Sequence, residues 1–183
     1  MPIVLSFDVS SSCIGFAVLN VDIDKKIIKY KDSGYFKPLK TGTIIERLID
    51  SRNKVLDIFT KYNPDLIAIE DIIQFMPGSS TAKTIIMLTT FNRMIGLCSY
   101  DFKKKSPKLC SVMSIRHGLK LNKIFPKKEE MPELVAHHLG IKFPYEKNKK
   151  NNLKIENYDR ADAIAVALYY SFILIGKIKE KKK

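Results

Sequence analysis

Cysteine is scarce in this chain of 183 residues, which contains only three. Cys13, Cys98 and Cys110 form no C-x-x-C pair, and an odd number cannot all pair within one chain. This argues against a disulfide scaffold and against a structural zinc site, because both need even or closely spaced sets of cysteines. Free thiols of this kind are typical of proteins from a reducing compartment.

Long hydrophobic runs are also missing. The longest apolar stretch, AIAVALYYSFILIG at 163–176, is shorter than the ~18 to 20 residues that a membrane-spanning helix needs. The N-terminus has no basic segment before its apolar residues, and Asp8 interrupts them, so no signal peptide is visible. We therefore expect a soluble protein without a membrane partner, in which 163–176 forms part of a buried helix.

Acidic residues are few compared with basic ones. The 19 Asp and Glu residues stand against 32 Lys and Arg, which gives a formal net charge of +13. Such an excess predicts a polyanionic partner, most often nucleic acid, although an anionic membrane surface also fits. A lysine-rich genome would produce the same composition without such a partner. The apolar fraction of 45% is sufficient for a hydrophobic core, which excludes a disordered chain.

Hydrophobic periodicity predicts one mixed α/β domain over 1–176, followed by a basic tail over 177–183. Short turns join the first three strands, which favours an antiparallel meander. The Lys-rich stretch 116–152 contains two short helical pieces at most. The predicted strands are 1–7, 15–20, 27–36, 65–71 and 108–115, and the predicted long helices are 44–62, 81–102 and 157–176.

Four acidic residues stand beside strongly apolar sequence. Asp8 ends the first strand and Glu70 ends the strand LIAIE. If these strands are neighbours, both carboxylates meet at one edge of the sheet, where open α/β sheets bind ligands. Asp159 and Asp162, spaced i and i+3, share one face of the last helix. Alternatively, Asp159 caps that helix and Asp162 is a first-turn acid favoured by the helix dipole.

A carboxylate cluster of this kind needs a cation, because like charges raise one another's pKa and an unpaired buried carboxylate is costly. Oxygen ligands without nearby Cys or His suit a hard ion such as Mg²⁺ or Mn²⁺. Two such ions can hold the attacking and leaving oxygens of a phosphodiester displacement. An acidic pocket in a basic protein therefore predicts a nuclease, in which lysines attract the nucleic-acid backbone to the ions.

Three motifs carry a family resemblance: DVSSSCIG from Asp8, IAIE ending at Glu70, and DRADAIAVA from Asp159. In this order and spacing they resemble the RuvC-like Holliday junction resolvases of the ribonuclease H superfamily. The resemblance is to the poxvirus branch, in particular to avian poxvirus enzymes, and it covers nearly the whole chain. It implies a ribonuclease H-like single domain, with a five-stranded mixed sheet flanked by helices, and a homodimer with two active sites.

The resemblance also implies an activity. Members of this family make symmetric, Mg²⁺-dependent cuts across four-way DNA junctions, with two ions per active site, and Mn²⁺ is expected to substitute. Carried over position by position, the metal ligands and catalytic residues would be Asp8, Glu70, Asp159 and Asp162. In poxviruses the similar enzyme resolves concatemeric replication products, so the implied location is the cytoplasm of the infected host cell.

The segment after each strand acid departs from the bacterial members of the family. Bacterial members carry a glycine soon after the first acid, whereas Val9 and three serines follow it here, which leaves the turn geometry open. Phe75 lies slightly farther beyond Glu70 than the bacterial junction-binding aromatic. It is a candidate for stacking on a base at the crossover, or else a partly exposed residue that closes the core. Asp71 alternates away from Glu70, so we expect a flanking residue or an ion-pair partner rather than a ligand.

Lysines before the last helix and on the second long helix are the other DNA-binding candidates. In related enzymes, lysines of this segment hold phosphate and stabilise developing charge. Any one of them taken alone is better explained as a solvated lysine than as a catalytic one, whereas the group together favours a backbone-binding patch. His117 could act near the scissile phosphate or be purely structural. The candidate DNA-binding residues are Lys120, Lys123, Lys127, Lys128, Lys83 and Phe75.

The helix predicted at 81–102 carries apolar residues over more than one stripe. A helix on the surface of a single domain buries only one such stripe. The surplus supports a homodimer interface on this helix. The alternative is a helix that is buried on several sides within one domain.

Other functions fit part of the pattern. The turn DVSSS resembles the phosphate-binding turn of actin-like kinases and ATPases, but those also need a second Gly-rich loop, and this chain has only eight glycines. A DNA-binding module that has lost catalysis would have no reason to keep four acids. A nuclease for RNA/DNA hybrids, or for a broader range of branched DNAs, fits the same superfold.

Overall fold

The computed structural model describes residues 1–72, 82–121 and 125–179. Within these ranges the chain forms five strands and five α-helices, with a short 3-10 helix at Lys128–Glu130. The strands are β1 (Ile3–Val9), β2 (Ile14–Asp22), β3 (Ile27–Phe36), β4 (Leu66–Glu70) and β5 (Lys108–Cys110). The helices are α1 (Ile44–Tyr62), α2 (Ala82–Lys103), α3 (Val112–Leu119), α4 (Met131–Leu139) and α5 (Glu156–Leu174).

All five strands form one sheet, in the order β3-β2-β1-β4-β5. The pairs β1–β2 and β2–β3 are antiparallel, whereas β1–β4 and β4–β5 are parallel. This arrangement confirms the predicted five-stranded mixed sheet, including the antiparallel meander at its start. It also makes β1 and β4 neighbours, on which the predicted meeting of Asp8 and Glu70 depends.

Helices cover both faces of the sheet, so the domain has two hydrophobic cores. The central strand β1 alternates between them: Val4 packs in one core, whereas Leu5 and Phe7 pack in the other. A strand covered on both faces is largely apolar, and five of the seven residues of β1 are apolar. The first core includes α5, which contacts all five strands, and the second includes α1 and α2.

The segment after β5 differs from the strand predicted at 108–115. The strand ends at Cys110, and α3 begins after Ser111, whose hydroxyl accepts a hydrogen bond from the N–H three residues later at 3.2 Å. Ile115 and Leu119, four residues apart, are buried in the core. The prediction beyond Cys110 was wrong, because a serine cap and helical spacing of apolar residues outweigh the strand-like composition of this segment.

The last helix is buried, as its composition predicted. Every residue of 163–168 is at most 1% exposed. In the ranges that the structure describes, no helix is both long enough and apolar enough to cross a membrane. The chain turns after α5 at Gly176, which has a φ of +73°. Ile178 then packs against the core, so folded contacts continue past residue 176, and the domain boundary there stays a prediction.

Candidate active site at the carboxyl edge of the sheet

Two strand ends place two carboxylates side by side. The strands β1 and β4 are parallel neighbours in a register that aligns Phe7 with Ile69. Asp8 and Glu70 follow these two residues, so they occupy neighbouring positions at the carboxyl ends of their strands. The two acids therefore meet at the edge that the sequence predicted.

Helix α5 brings the other two acids to the same edge. Gly15 on β2 is the pairing partner of Asp8. A Cβ atom on Gly15 would lie 2.2 Å from the carbonyl oxygen of Asp159, so only a residue without a side chain allows this close approach of α5. Asp162 follows one turn later on the same side of the helix. The structure thus gathers all four predicted acids around the end of β1.

These carboxylates repel one another in a poorly solvated site. The pKa of Asp8 is raised well above its usual value, first by burial and then by the charges of Glu70, Asp162 and Asp159. Burial and the charge of Asp162 raise the pKa of Glu70 to about 7. The pKa of Asp162 is raised to about 6, again chiefly by burial. Asp8, Glu70 and Asp162 therefore lack the compensation that buried, ionised carboxylates need.

Asp159 has a different environment. It accepts a hydrogen bond from the Cys13 thiol, and burial followed by this bond raises the pKa of the thiol. The N-cap position of α5 is occupied by Ile155, which makes no side-chain cap hydrogen bond. The alternative interpretation in which Asp159 caps the helix is therefore wrong, because the helix begins three residues earlier at Glu156.

Two cations partly compensate the acidic cluster. The Nζ atom of Lys128 lies 3.8 Å from Oδ1 of Asp159 and 3.9 Å from Oδ2 of Asp162. Arg116 on α3 lowers the pKa of Glu70 and of Asp162 through its charge. The structure thus places Lys128, a lysine predicted to bind DNA, directly against the carboxylates. Its contact with DNA stays a prediction.

The donor set has the chemistry of a site for a hard divalent cation. The four acids offer only carboxylate oxygens, and an ion would neutralise the excess negative charge that raises their pKa values. Across 1–72, 82–121 and 125–179, however, no three His, Cys, Asp or Glu side chains stand close enough to hold one ion as they are. Ion binding would therefore require these carboxylates to move toward one another.

The remaining predicted DNA-binding residues are spread more widely. Lys120 follows α3, and its Nζ atom lies 3.3 Å from Nε2 of His117. Lys127 is exposed just before the 3-10 helix, and Lys83 is exposed near the start of α2. Two predicted residues lie outside the described ranges: Phe75 and Lys123.

Contacts from α2 complete this edge, and sequence reasoning missed most of them. Asn92 donates a hydrogen bond from Nδ2 to the carbonyl oxygen of Glu70 at 2.8 Å, which fixes the end of β4. Arg93 places Nη2 3.9 Å from Oδ1 of Asp71, so Asp71 has the ion-pair partner that was predicted for it. The available signal was the polar pair Asn92 and Arg93 in the middle of a helix that is rich in apolar residues.

No family model matches this chain, and no curated protein sequence matches it. Several solved structures do match the fold of this chain. RuvC of T. thermophilus in complex with a Holliday junction substrate is 17% identical, with a TM-score of 0.71 over 93% of this chain and 94% of RuvC. The yeast mitochondrial Holliday junction resolvase is 15% identical, with a TM-score of 0.65 over 93% of this chain and 78% of its own. The fowlpox virus resolvase in complex with Holliday junction DNA is 17% identical, with a TM-score of 0.52 over 94% and 99% of the two chains.

These similarities establish the fold. The chain is a single α/β domain with the ribonuclease H-like fold of the RuvC-type resolvases, with a five-stranded mixed sheet flanked by helices, as predicted. At 15% to 17% identity the similarity shows an architecture and not an activity. Function has to be argued from the site.

Proposed function

We propose that this protein is a structure-selective endonuclease that resolves four-way DNA junctions by metal-dependent hydrolysis of phosphodiesters. One observation carries the proposal: β1, β4 and α5 bring the carboxylates of Asp8, Glu70 and Asp162 together at one sheet edge of a protein with a net charge of +13. A nuclease needs both features, because cations attract the backbone while carboxylates hold metal. The similarity in fold to proteins solved with Holliday junction DNA supports the branched substrate.

The acids of the site would hold the metal. Mg²⁺, with Mn²⁺ as a substitute, would bind as two ions between Asp8, Glu70, Asp159 and Asp162. When bound, such ions supply Lewis-acid activation of water and of the scissile phosphate. The carboxylates must be ionised to act as ligands, and Arg116 favours the ionised form by lowering the pKa of Glu70 and of Asp162.

Lysines around this edge would hold the DNA backbone. Positive charge comes from Lys83 near the start of α2, and from four lysines in the chain between α3 and α4: Lys120, Lys123, Lys127 and Lys128. Each phosphate contact releases counterions, so the affinity for junctions should fall steeply with salt. Phe75 would stack on a base at the crossover.

A homodimer would present two such sites, one for each continuous strand of the junction. Helix α2 offers a surface for it, because Ile86, Leu97 and Tyr100 are 63%, 68% and 49% exposed. Their spacing places them on one stripe of the helix. This stripe fits the apolar surplus that the sequence predicted for a dimer interface.

Leu97→Glu should convert the dimer to a monomer, because the new carboxylate would be buried without a partner. Size-exclusion chromatography with light scattering measures the mass. Ile23→Glu, in the turn between β2 and β3, is the matched control, since Ile23 is also exposed and should leave the dimer intact. A monomeric wild-type protein would contradict the dimer.

We further propose a viral role. The sequence resembles avian poxvirus enzymes, and the fowlpox resolvase is among the similar structures. Concatemers of poxvirus DNA contain inverted repeats, which can extrude as cruciforms with four-way junctions. Their resolution would take place in the cytoplasm of the infected host cell, where viral DNA is replicated.

A cleavage assay with four substrates tests the proposed function. A four-way junction, a flap, a linear duplex and an RNA/DNA hybrid are offered side by side, with Mg²⁺ or with EDTA. We expect paired, symmetric and ligatable cuts in the junction with Mg²⁺, and none with EDTA. If the hybrid is cut fastest, the protein is a nuclease for RNA/DNA hybrids. If the flap is cut as fast as the four-way junction, it is a broader branched-DNA nuclease. Hydrolysis of ATP with no cutting of DNA would favour an actin-like enzyme.

A further inference from the structure

Lys128 occupies an unusual position for a lysine of a DNA-binding surface. Its ammonium lies between two carboxylates of α5, 3.8 Å from Asp159 and 3.9 Å from Asp162. It therefore forms ion pairs with two of the four acids of the site. The charge of Lys128 also lowers the pKa of Asp8 and of Glu70, so its influence reaches the whole cluster.

The same two carboxylates are proposed as metal ligands, which sets up a competition. A divalent ion binds carboxylate oxygens at much shorter distances than those seen here for the ammonium. An ammonium that stayed between Asp159 and Asp162 would repel the ion at close range. Metal and Lys128 therefore cannot fully occupy this position together.

We infer that Lys128 is an exchangeable counter-ion, which pairs with Asp159 and Asp162 in the metal-free protein and leaves them when a divalent cation binds. This inference rests on the proposed function, since it assumes that these acids bind metal. Lys128 is then a positioning residue, which keeps two like-charged ligands near each other until the ion arrives.

The surroundings of Lys128 allow this exchange. Its side chain is 52% exposed, whereas those of Asp159 and Asp162 are 19% and 15% exposed. It lies at the start of the 3-10 helix, where all of 127–130 is exposed. The ammonium can therefore swing into solvent while the acids stay in place. It then becomes free to contact a DNA phosphate, so metal binding and DNA binding should strengthen each other.

Calorimetric titration with Mn²⁺ in the absence of DNA tests the exchange. The variant Lys128→Ala removes the competing charge. We therefore expect it to bind Mn²⁺ about three- to tenfold more tightly than the wild type does, because Mn²⁺ no longer has to break two partly exposed ion pairs. Lys127→Ala is the matched control. Within the residues that the structure describes, Lys127 forms no ion pair with the acids of the site, so this variant should bind Mn²⁺ like the wild type. Lys128→Arg keeps the charge and should bind like the wild type.

The possible outcomes separate this inference from the proposed function. Equal or weaker Mn²⁺ binding by Lys128→Ala, with normal binding by the wild type, would overturn the exchange and leave the metal site intact. Absence of Mn²⁺ binding by every variant would overturn both. Binding by Lys128→Ala alone would be the strongest form of the expected result. Melting curves give a second readout, because tighter binding must produce a larger Mn²⁺-induced rise in Tm for Lys128→Ala than for the wild type.

Discussion

Two groups of charged residues beside α5 differ in how the charge of their acids is compensated. Glu146 forms ion pairs with Lys154 at 2.8 Å and with Arg160 at 3.1 Å, and these partners lower its pKa. At the sheet edge, Asp8 and Glu70 are crowded by other acids and have raised pKa values. Both groups lie beside the same turns of one helix, so the difference comes from burial and from the partners, and not from the helix.

The paired group stabilises the fold. The guanidinium of Arg160, only 4% exposed, also donates hydrogen bonds to the carbonyl oxygen of Pro144 at 2.9 Å and to Oγ of Ser33 at 3.2 Å. It thereby ties α5 to β3 and to the segment before the helix. The comparison shows that a charge paired within the chain serves structure, whereas acids left without sufficient partners point to an external cation.

The largest expected difference between the two groups is in catalysis. Asp8→Asn and Glu70→Gln should each reduce junction cleavage by about 10³-fold or more, because each removes a metal ligand. Glu146→Gln, the matched change in the paired group, should cut at nearly the wild-type rate. Single-turnover cleavage with Mg²⁺ at a temperature well below Tm measures all three. Wild-type cutting by Glu70→Gln would show that the ligand set is wrong.

A second difference concerns stability, where the two groups should respond in opposite directions. Arg160→Ala should lower the free energy of unfolding by about 3 kcal/mol, because it removes the packing of a buried side chain and its hydrogen bonds to Pro144, Ser33 and Glu146. Asp8→Asn should raise Tm by a few degrees in EDTA, because it relieves repulsion at the site. Thermal denaturation followed by circular dichroism checks both. A lower Tm for Asp8→Asn would mean that the acids of the site are paired after all.

The close approach of α5 to β2 gives a third prediction. Gly15→Ala should destabilise the protein by roughly 1–3 kcal/mol and weaken Mn²⁺ binding, because the new Cβ pushes the Asp159 backbone away from Asp8. Gly96→Ala on α2 is the control, because its Cβ would meet nothing within 4 Å. That change should be neutral or stabilising. Equal effects of the two substitutions on Mn²⁺ affinity would contradict the placement of α5.

The smallest expected effect is on the pH dependence of stability. The folded protein holds protons on Glu70 and Asp162 up to pKa values of about 7 and about 6, whereas the unfolded chain releases them near pH 4. In EDTA, the contribution of these two groups to the free energy of unfolding is therefore greatest below about pH 4, and it is lost as the pH rises through 6 and 7. The lowered pKa of His138 acts in the opposite direction, since a buried neutral imidazole gains stability as the pH rises.

Comparison of the wild type with Glu70→Gln removes the contribution of His138. We expect Tm of the wild type to fall by roughly 5 °C more than that of Glu70→Gln between pH 5 and pH 8 in EDTA. Saturating Mn²⁺ should abolish this difference for the wild type. Parallel profiles in EDTA would show that the pKa of Glu70 is not raised.

Much of the fold could be predicted because its signals are local. The run from Ile3 to Val9 is apolar at five of its seven positions, and the spacing of Asp159 and Asp162 fixes their common face on a helix. The segment after Cys110 was misassigned because a single serine cap decides between strand and helix there. The order of the strands in the sheet could not be derived from the periodicity of individual strands. The expectation of a five-stranded mixed sheet came from the family resemblance.

The sequence identified the acids of the candidate site but not most of the residues that surround them. Asp8 and Glu70 stand out because charge is unusual at the end of an apolar strand. The positions of Arg116 and Lys128 depend on how the segment between β5 and α5 packs, and many lysines in that segment look alike in sequence. The role of Gly15 is also non-local, because it depends on a helix that follows more than 100 residues later.

Anomalous diffraction from crystals soaked in Mn²⁺ tests the central claim most directly. The account predicts manganese peaks bounded by carboxylate oxygens of the four acids Asp8, Glu70, Asp159 and Asp162, with the Lys128 ammonium displaced and no peak beside Glu146. Manganese-saturated crystals with no peak between β1 and α5 would contradict it.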